Sequence, residues 1–136
     1  RSDTTHELMN MAQVQWWSGH YDKAREYAAA ALQQIEELLP DKKKHEALYR
    51  SRRTILLAIL GRFEEAEAEL AAVRSLPLCE HCNYCACKDA DIFEANIEEI
   101  RGNYEQALKL HLAGADRWSD DMDFISGARR MRRKGL

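Results

Sequence analysis

Three phrases constrain the fold of this chain more than any other feature: Gly19-His20-Tyr21-Asp22-Lys23-Ala24, Gly61-Arg62-Phe63-Glu64-Glu65-Ala66 and Gly102-Asn103-Tyr104-Glu105-Gln106-Ala107. Each reads glycine, polar, aromatic, two polar residues, alanine. The glycines stand 42 and then 41 residues apart (61 − 19 and 102 − 61). A near-constant period means one supersecondary unit built three times, which decides the architecture before any single residue is weighed.

The unit reads as an antiparallel helix hairpin. β-branched residues are scarce, Ala, Leu and Glu are abundant, and no strand is credible. The only prolines, Pro40 and Pro77, fall where helical patterns stop. Leu8, Met11 and Ala12 run up to Gly19, and Ala24, Ala28, Ala31, Leu32 and Ile35 stripe the return helix. The second unit uses Ile55, Leu56 and Ile59 before Gly61 and Ala66, Leu70 and Val73 after it. The third uses Ile92, Phe93 and Ile97, then Ala107 and Leu108. The hairpins are placed at about residues 4–40, 42–77 and 89–118, with a cysteine-rich insertion at 78–88 and a last amphipathic helix at about 120–133. Glycine reverses the chain, the aromatic is expected to wedge between neighbouring hairpins, and alanine keeps the crossing tight. No hairpin buries both its faces alone, so neighbours must stack and the last helix must cap the open end.

Charge and hydropathy exclude other classes. With 20 basic and 23 acidic residues and net charge −3, no bulk polyelectrolyte character points to nucleic acid or a membrane. The longest strongly apolar stretch, Thr54 to Leu60, is far below the roughly 20 residues that span a bilayer. No phosphate loop, nucleophile elbow, dinucleotide fingerprint or HExxH spacing occurs, and His6, His20, His45 and His111 are assigned no chemistry. Glu64-Glu65 and Glu98-Glu99 are placed on exposed helix faces. The default expectation is a cytoplasmic, non-enzymatic protein.

At the repeated residues the sequence resembles the tetratricopeptide repeat (TPR) family. Leu8, Met11 and Ala12 match its large–large–small set, and Gly19, Tyr21, Ala24, Ala31 and Leu32 follow in its spacing. The later hairpins keep Gly61, Phe63, Ala66 and Gly102, Tyr104, Ala107, but Arg53 and Thr54 stand where a large apolar and a small residue are expected. The period also exceeds the family's about 34 residues. The resemblance covers nearly the whole chain outside 78–88. It implies an all-α, TPR-like right-handed solenoid of three hairpins plus a capping helix. It further implies a concave groove, lined by the first helix of each hairpin, that holds a peptide or partner protein. The implied groove residues are Met9, Gln13, Trp16 and Trp17, then Leu48, Ser51, Ile55 and Ile59, then Ile92, Asn96 and Glu99. Family members that grip a chaperone's C-terminal carboxylate use a Lys and Asn where Met9 and Gln13 stand here, which disfavours that ligand. Trp16 and Trp17 point about 100° apart on a helix, so one is expected in the core and one at the surface.

All four cysteines fall in one stretch, Cys79, Cys82, Cys85 and Cys87, spaced C-x2-C-x2-C-x-C. Three readings stay open. The first is a structural zinc site with four thiolates, or three with His81 as the alternative ligand. The second is an iron–sulfur cluster, although Asp89 stands where the bacterial run has its fourth cysteine. The third is reduced thiols or disulfides in a loop. Four thiolates leave no open coordination position, so a bound metal would stabilise rather than catalyse.

The run Arg129-Arg130-Met131-Arg132-Arg133-Lys134 reads first as a solvated helix end favoured by the dipole, and second as a contact for RNA or an acidic partner. The leading function is therefore an adaptor that binds a protein or peptide in its groove. The alternative is a metal- or redox-responsive module in which the cysteines set repeat geometry. Three hairpins are near the minimum for a stable array, so self-association is compatible with either.

Overall fold

A computed structural model of the chain describes residues 3–41, 45–76 and 86–136, with side chains from residue 89 onward in the last stretch. The described residues form seven α-helices and no strand: α1 (Thr5–Trp17), α2 (Tyr21–Leu38), α3 (Glu46–Ile59), α4 (Phe63–Ser75), α5 (Ala86–Arg101), α6 (Tyr104–Arg117) and α7 (Met122–Arg133). A short 3-10 turn, Leu39–Asp41, carries Pro40 and ends α2. Helices pair along the chain, α1 with α2, α3 with α4, α5 with α6 and α6 with α7. Contacts of α1 with α3, α3 with α5 and α5 with α7 set these four side by side. No described helix is long and apolar enough to cross a membrane.

The repeated phrase has a backbone cause. After α1 the Gly19 N–H donates to Trp16 O (3.0 Å) and the His20 N–H to Gln15 O (2.8 Å). The same pair of bonds recurs from Gly61 to Ala58 and Arg62 to Leu57, and from Gly102 to Glu99 and Asn103 to Glu98. Each is a Schellman close, which needs a left-handed residue; the three glycines have φ of +84°, +81° and +94°. The next residue's carbonyl then accepts the N–H of Ala24, Ala66 or Ala107, opening the return helix. All three alanines are fully buried, so a larger side chain there would push the paired helices apart.

The aromatic of each phrase is not a buried wedge. Tyr21 is 47% exposed and Tyr104 37% exposed. Tyr21 packs on Trp16 of its own hairpin at 4.4 Å, whereas Tyr104 and the half-buried Phe63 lie beneath the cations of Lys134 and Arg101. These rings stand at the first position of their helices, on the rim, where a tyrosine hydroxyl keeps its water.

The core is densest around α3, which touches α1, α2, α4 and α5. Ile55, Leu56, Leu57, Ala58 and Ile59 are all buried in succession, the mark of a helix enclosed on every side. α5 is described from Ala86, ahead of the expected Asp89. α7 starts where Asp121 accepts the Asp123 N–H at 2.9 Å, an N-cap that the acidic run allowed. Glycine brings α6 and α7 into close contact: added Cβ atoms at Gly114 and Gly127 would meet the rings of Phe124 and His111 at 2.1 Å.

Candidate binding cleft

The side-by-side helices α1, α3, α5 and α7 wall one chamber of a cleft, and α1, α5 and α7 with the starts of α2 and α6 wall a second beside it. The inner chamber has a volume of about 270 Å³. Met9, Gln13 and Trp17 reach it from α1 at i, i+4 spacing, and Leu48 and Arg52 reach it from α3 in the same way. From α5 come Ile92, Phe93 and Asn96, and from α7 Asp123 and Arg130. Apolar side chains share the walls with amides and with charged groups, His6, Asn10 and Asp89 completing the lining. Asn96 is 5% exposed, and its Oδ1 has no hydrogen-bond partner among the described residues. A buried acceptor left unmatched costs about 1–3 kcal/mol, which a ligand N–H would relieve once the amide turns towards the chamber, since Oδ1 is closed off from it in this conformation.

The outer chamber has a volume of about 290 Å³ and differs in chemistry. Trp16, Trp17, Tyr21 and Tyr104 line it together with Arg130, Arg133, Lys134 and Glu99. Trp17 and Arg130 line both chambers and stand between them in direct contact, with the guanidinium 3.9 Å from the indole centroid. Arg130 is held there by Glu99: Nε donates to Oε2 at 2.9 Å and Nη2 to Oε1 at 3.0 Å. The fully buried His111 places Nε2 3.5 Å from the same carboxylate. Burial alone would push the Glu99 carboxyl up, but His111 and Arg130 outweigh it and hold the group below the usual carboxylate range. One carboxylate thus ties α5, α6 and α7 together beside the Trp17–Arg130 contact.

The α1 and α3 walls are braced separately. Asp3 accepts hydrogen bonds from the Thr5 N–H (3.0 Å), the Thr5 hydroxyl (2.8 Å) and the Tyr49 hydroxyl (2.5 Å). Arg52 donates to Thr5 Oγ1 at 2.8 Å. Burial and the bond to Asp3 push the Tyr49 hydroxyl up to about 12. Asp3 goes the other way: its hydrogen bonds and Arg52 overcome burial and hold it down.

Of the residues expected along a groove, Met9, Gln13, Trp17, Leu48, Ile92 and Asn96 line the inner chamber, and Trp16, Trp17 and Glu99 the outer one. Trp16 is half-buried against the core, and Trp17 is 40% exposed. Ser51, Ile55 and Ile59 line neither chamber. Each is at most 1% exposed, because α3 is covered on all sides, and the Ser51 hydroxyl turns back to Ala47 O at 2.7 Å. Glu99 is not on an exposed face, in contrast to Glu64 and Glu65. Arg130, Arg133, Lys134 and His111 were missed as site residues. The basic run was visible, but nothing in its spacing says that α7 folds across the cleft. Cys79, Cys82, Cys85 and His81 lie outside the described residues; Cys87 falls in the first turn of α5, its side chain likewise outside them. Among the described residues no cluster of His, Cys, Asp and Glu has the form of a metal site. Compared with protein-family models, curated proteins and solved structures, the chain matches none.

Proposed function

We propose that this chain is a non-enzymatic interaction module, built as a TPR-like right-handed solenoid, that holds an extended peptide segment of a partner protein in the cleft. Three turns of one kind and the row α1, α3, α5, α7 support the solenoid reading. Asn96 carries the binding reading. A buried amide with an unmatched acceptor, set among Met9, Leu48 and Ile92, suits a peptide backbone N–H flanked by apolar side chains. The test is selection from a displayed peptide library by the wild type and by Asn96→Leu. The substitution removes an unmatched polar group, so folding should hold. Sequences enriched by the wild type should be lost with the variant. Equal enrichment by both would end the reading.

A second reading is favoured by the spacing of Cys79, Cys82, Cys85 and Cys87. Zinc held by these thiolates, or an iron–sulfur cluster, would act on the start of α5, the helix that carries Ile92 and Asn96 into the cleft. Metal analysis of anaerobically purified protein tests it. Stoichiometric metal whose chelation abolishes peptide capture while helicity persists supports a switch. Absence of metal, together with a Cys82→Ser, Cys85→Ser variant of unchanged stability and binding, removes it.

A further inference from the structure

We propose that the outer chamber seats the carboxylate-bearing part of an acidic peptide, an inference that rests on the peptide-groove reading and adds the ligand's chemistry to it. The arginines of this chain divide into two groups. Nine described arginines stand within ion-pair distance of a carboxylate. The other described ones, Arg129, Arg132 and Arg133, are exposed, have no carboxylate partner among the described residues, and all lie in the last turns of α7. Arg133 and Lys134 line the outer chamber beside Arg130. The one acidic residue there, Glu99, is already taken by Arg130 and approached by His111. On a chain of net charge −3, the mouth of the cleft is therefore a local positive site.

The helix dipole explains why cations are tolerated at the end of α7, at about 0.3–1 kcal/mol each. It does not explain their convergence with Trp17, Tyr21 and Tyr104 on one concavity. A guanidinium and an ammonium held beside aromatic walls suit a glutamate or aspartate side chain, whose carboxylate meets the cations. From there an extended backbone runs over the Trp17–Arg130 contact towards Asn96. A nucleic-acid base fits the same chamber less well. The ring faces it would stack on already carry cations, Arg130 on Trp17 at 3.9 Å and Lys134 on Tyr104 at 4.6 Å.

Fluorescence anisotropy on the full chain tests this, using labelled short peptides of alternating Glu and Leu, the same peptides with Gln or Lys for Glu, and a labelled oligouridine. The Glu peptide should bind about tenfold or more tighter than the Gln peptide at low salt, with the advantage shrinking at high salt. The double substitution Arg133→Ala, Lys134→Ala, at exposed positions, should bring the Glu-peptide affinity down to that of the Gln peptide in the same variant, with thermal unfolding lowered only slightly by the lost dipole and Tyr104 contacts. Equal binding of the Glu and Gln peptides, both weakened by Asn96→Leu, would overturn the acidic seat and leave the groove standing. Oligouridine binding lost in the double variant would overturn the peptide assignment of the mouth. Failure of every peptide to bind would take down the groove reading and the seat with it.

Discussion

The His111 imidazole occupies the space that a side chain on Gly127 would need: a Cβ there would stand 2.1 Å from Cε1 of His111. His111 is fully buried and lies beside Glu99, which holds Arg130 over Trp17. The absence of a side chain at Gly127 on α7 is thereby linked to the Trp17–Arg130 contact in the cleft.

Gly127→Ala should consequently be destabilising, although alanine is by about 1 kcal/mol the better helix former. The ring has no solvent to retreat into, so α7 must shift, at about 1–3 kcal/mol by denaturant unfolding. Trp17 fluorescence should change as Arg130 leaves the indole. Ser126→Ala, at an exposed position on the same helix, should be neutral or slightly stabilising. In a His111→Ala background most of the Gly127→Ala cost should vanish, because the two substitutions share one space.

Glu99 gives this link a pH signature. Its folded carboxyl titrates below the usual range, so its contribution is complete above that range and is lost as pH falls through the lower, folded value. The docking of α7, followed by Trp17 fluorescence, should survive acidification through about pH 4.3, where free glutamate protonates. It should fail only below that. In Glu99→Gln this acid step should disappear, and neutral-pH stability should fall because Arg130, 15% exposed at its side chain, loses a charged partner.

How much of this was legible in the sequence depends on how local each feature is. The hairpin turns, their glycines and the buried alanines were readable because a Schellman close and the following helix start are set within a few residues. The acidic start and basic end of α7 were readable for the same reason. Ser51, Ile55 and Ile59 were assigned to a groove because helical spacing gives a residue's face but not how completely neighbours cover it. His111 carried no signal, since its partner Glu99 sits on another helix and Gly127, which makes room for it, on a third. Arg130 was visible only as one cation in a run.

The brace at the start of α1 predicts an alkaline limb. The Tyr49 hydroxyl, raised to about 12 by burial and by its bond to Asp3, contributes stability that is complete below its ordinary value near 10 and lost as pH rises towards about 12. Tyr49→Phe should cost about 1 kcal/mol at neutral pH and flatten that limb in thermal unfolding. Asp3 keeps its bonds from Thr5 in the variant, so α1 should stay in place and peptide capture should persist.

Arg53 departs from the large apolar residue that the repeat pattern expects, and the structure shows what compensates. Its Nη1 donates to Glu69 Oε2 at 2.8 Å, and Arg50 lies 3.4 Å from the other oxygen of a carboxylate whose side chain is 8% exposed. Thr54, the second departure, is fully buried and turns its hydroxyl to Arg50 O at 2.9 Å, filling the place of a small residue. Removing only one side of the α3–α4 pair leaves a desolvated charge without its partner. Glu69→Leu alone should therefore cost about 1–3 kcal/mol, the lower part of the range for buried pairs because Arg50 and Arg53 are partly solvated. Arg53→Leu alone should cost as much, because it leaves the buried carboxylate with the weaker Arg50 contact. With both substitutions together, two apolar side chains face each other between α3 and α4, and stability should return to wild type or exceed it. A double variant less stable than either single one in denaturant unfolding would show that the ion pair itself, and not apolar contact, best joins these two helices.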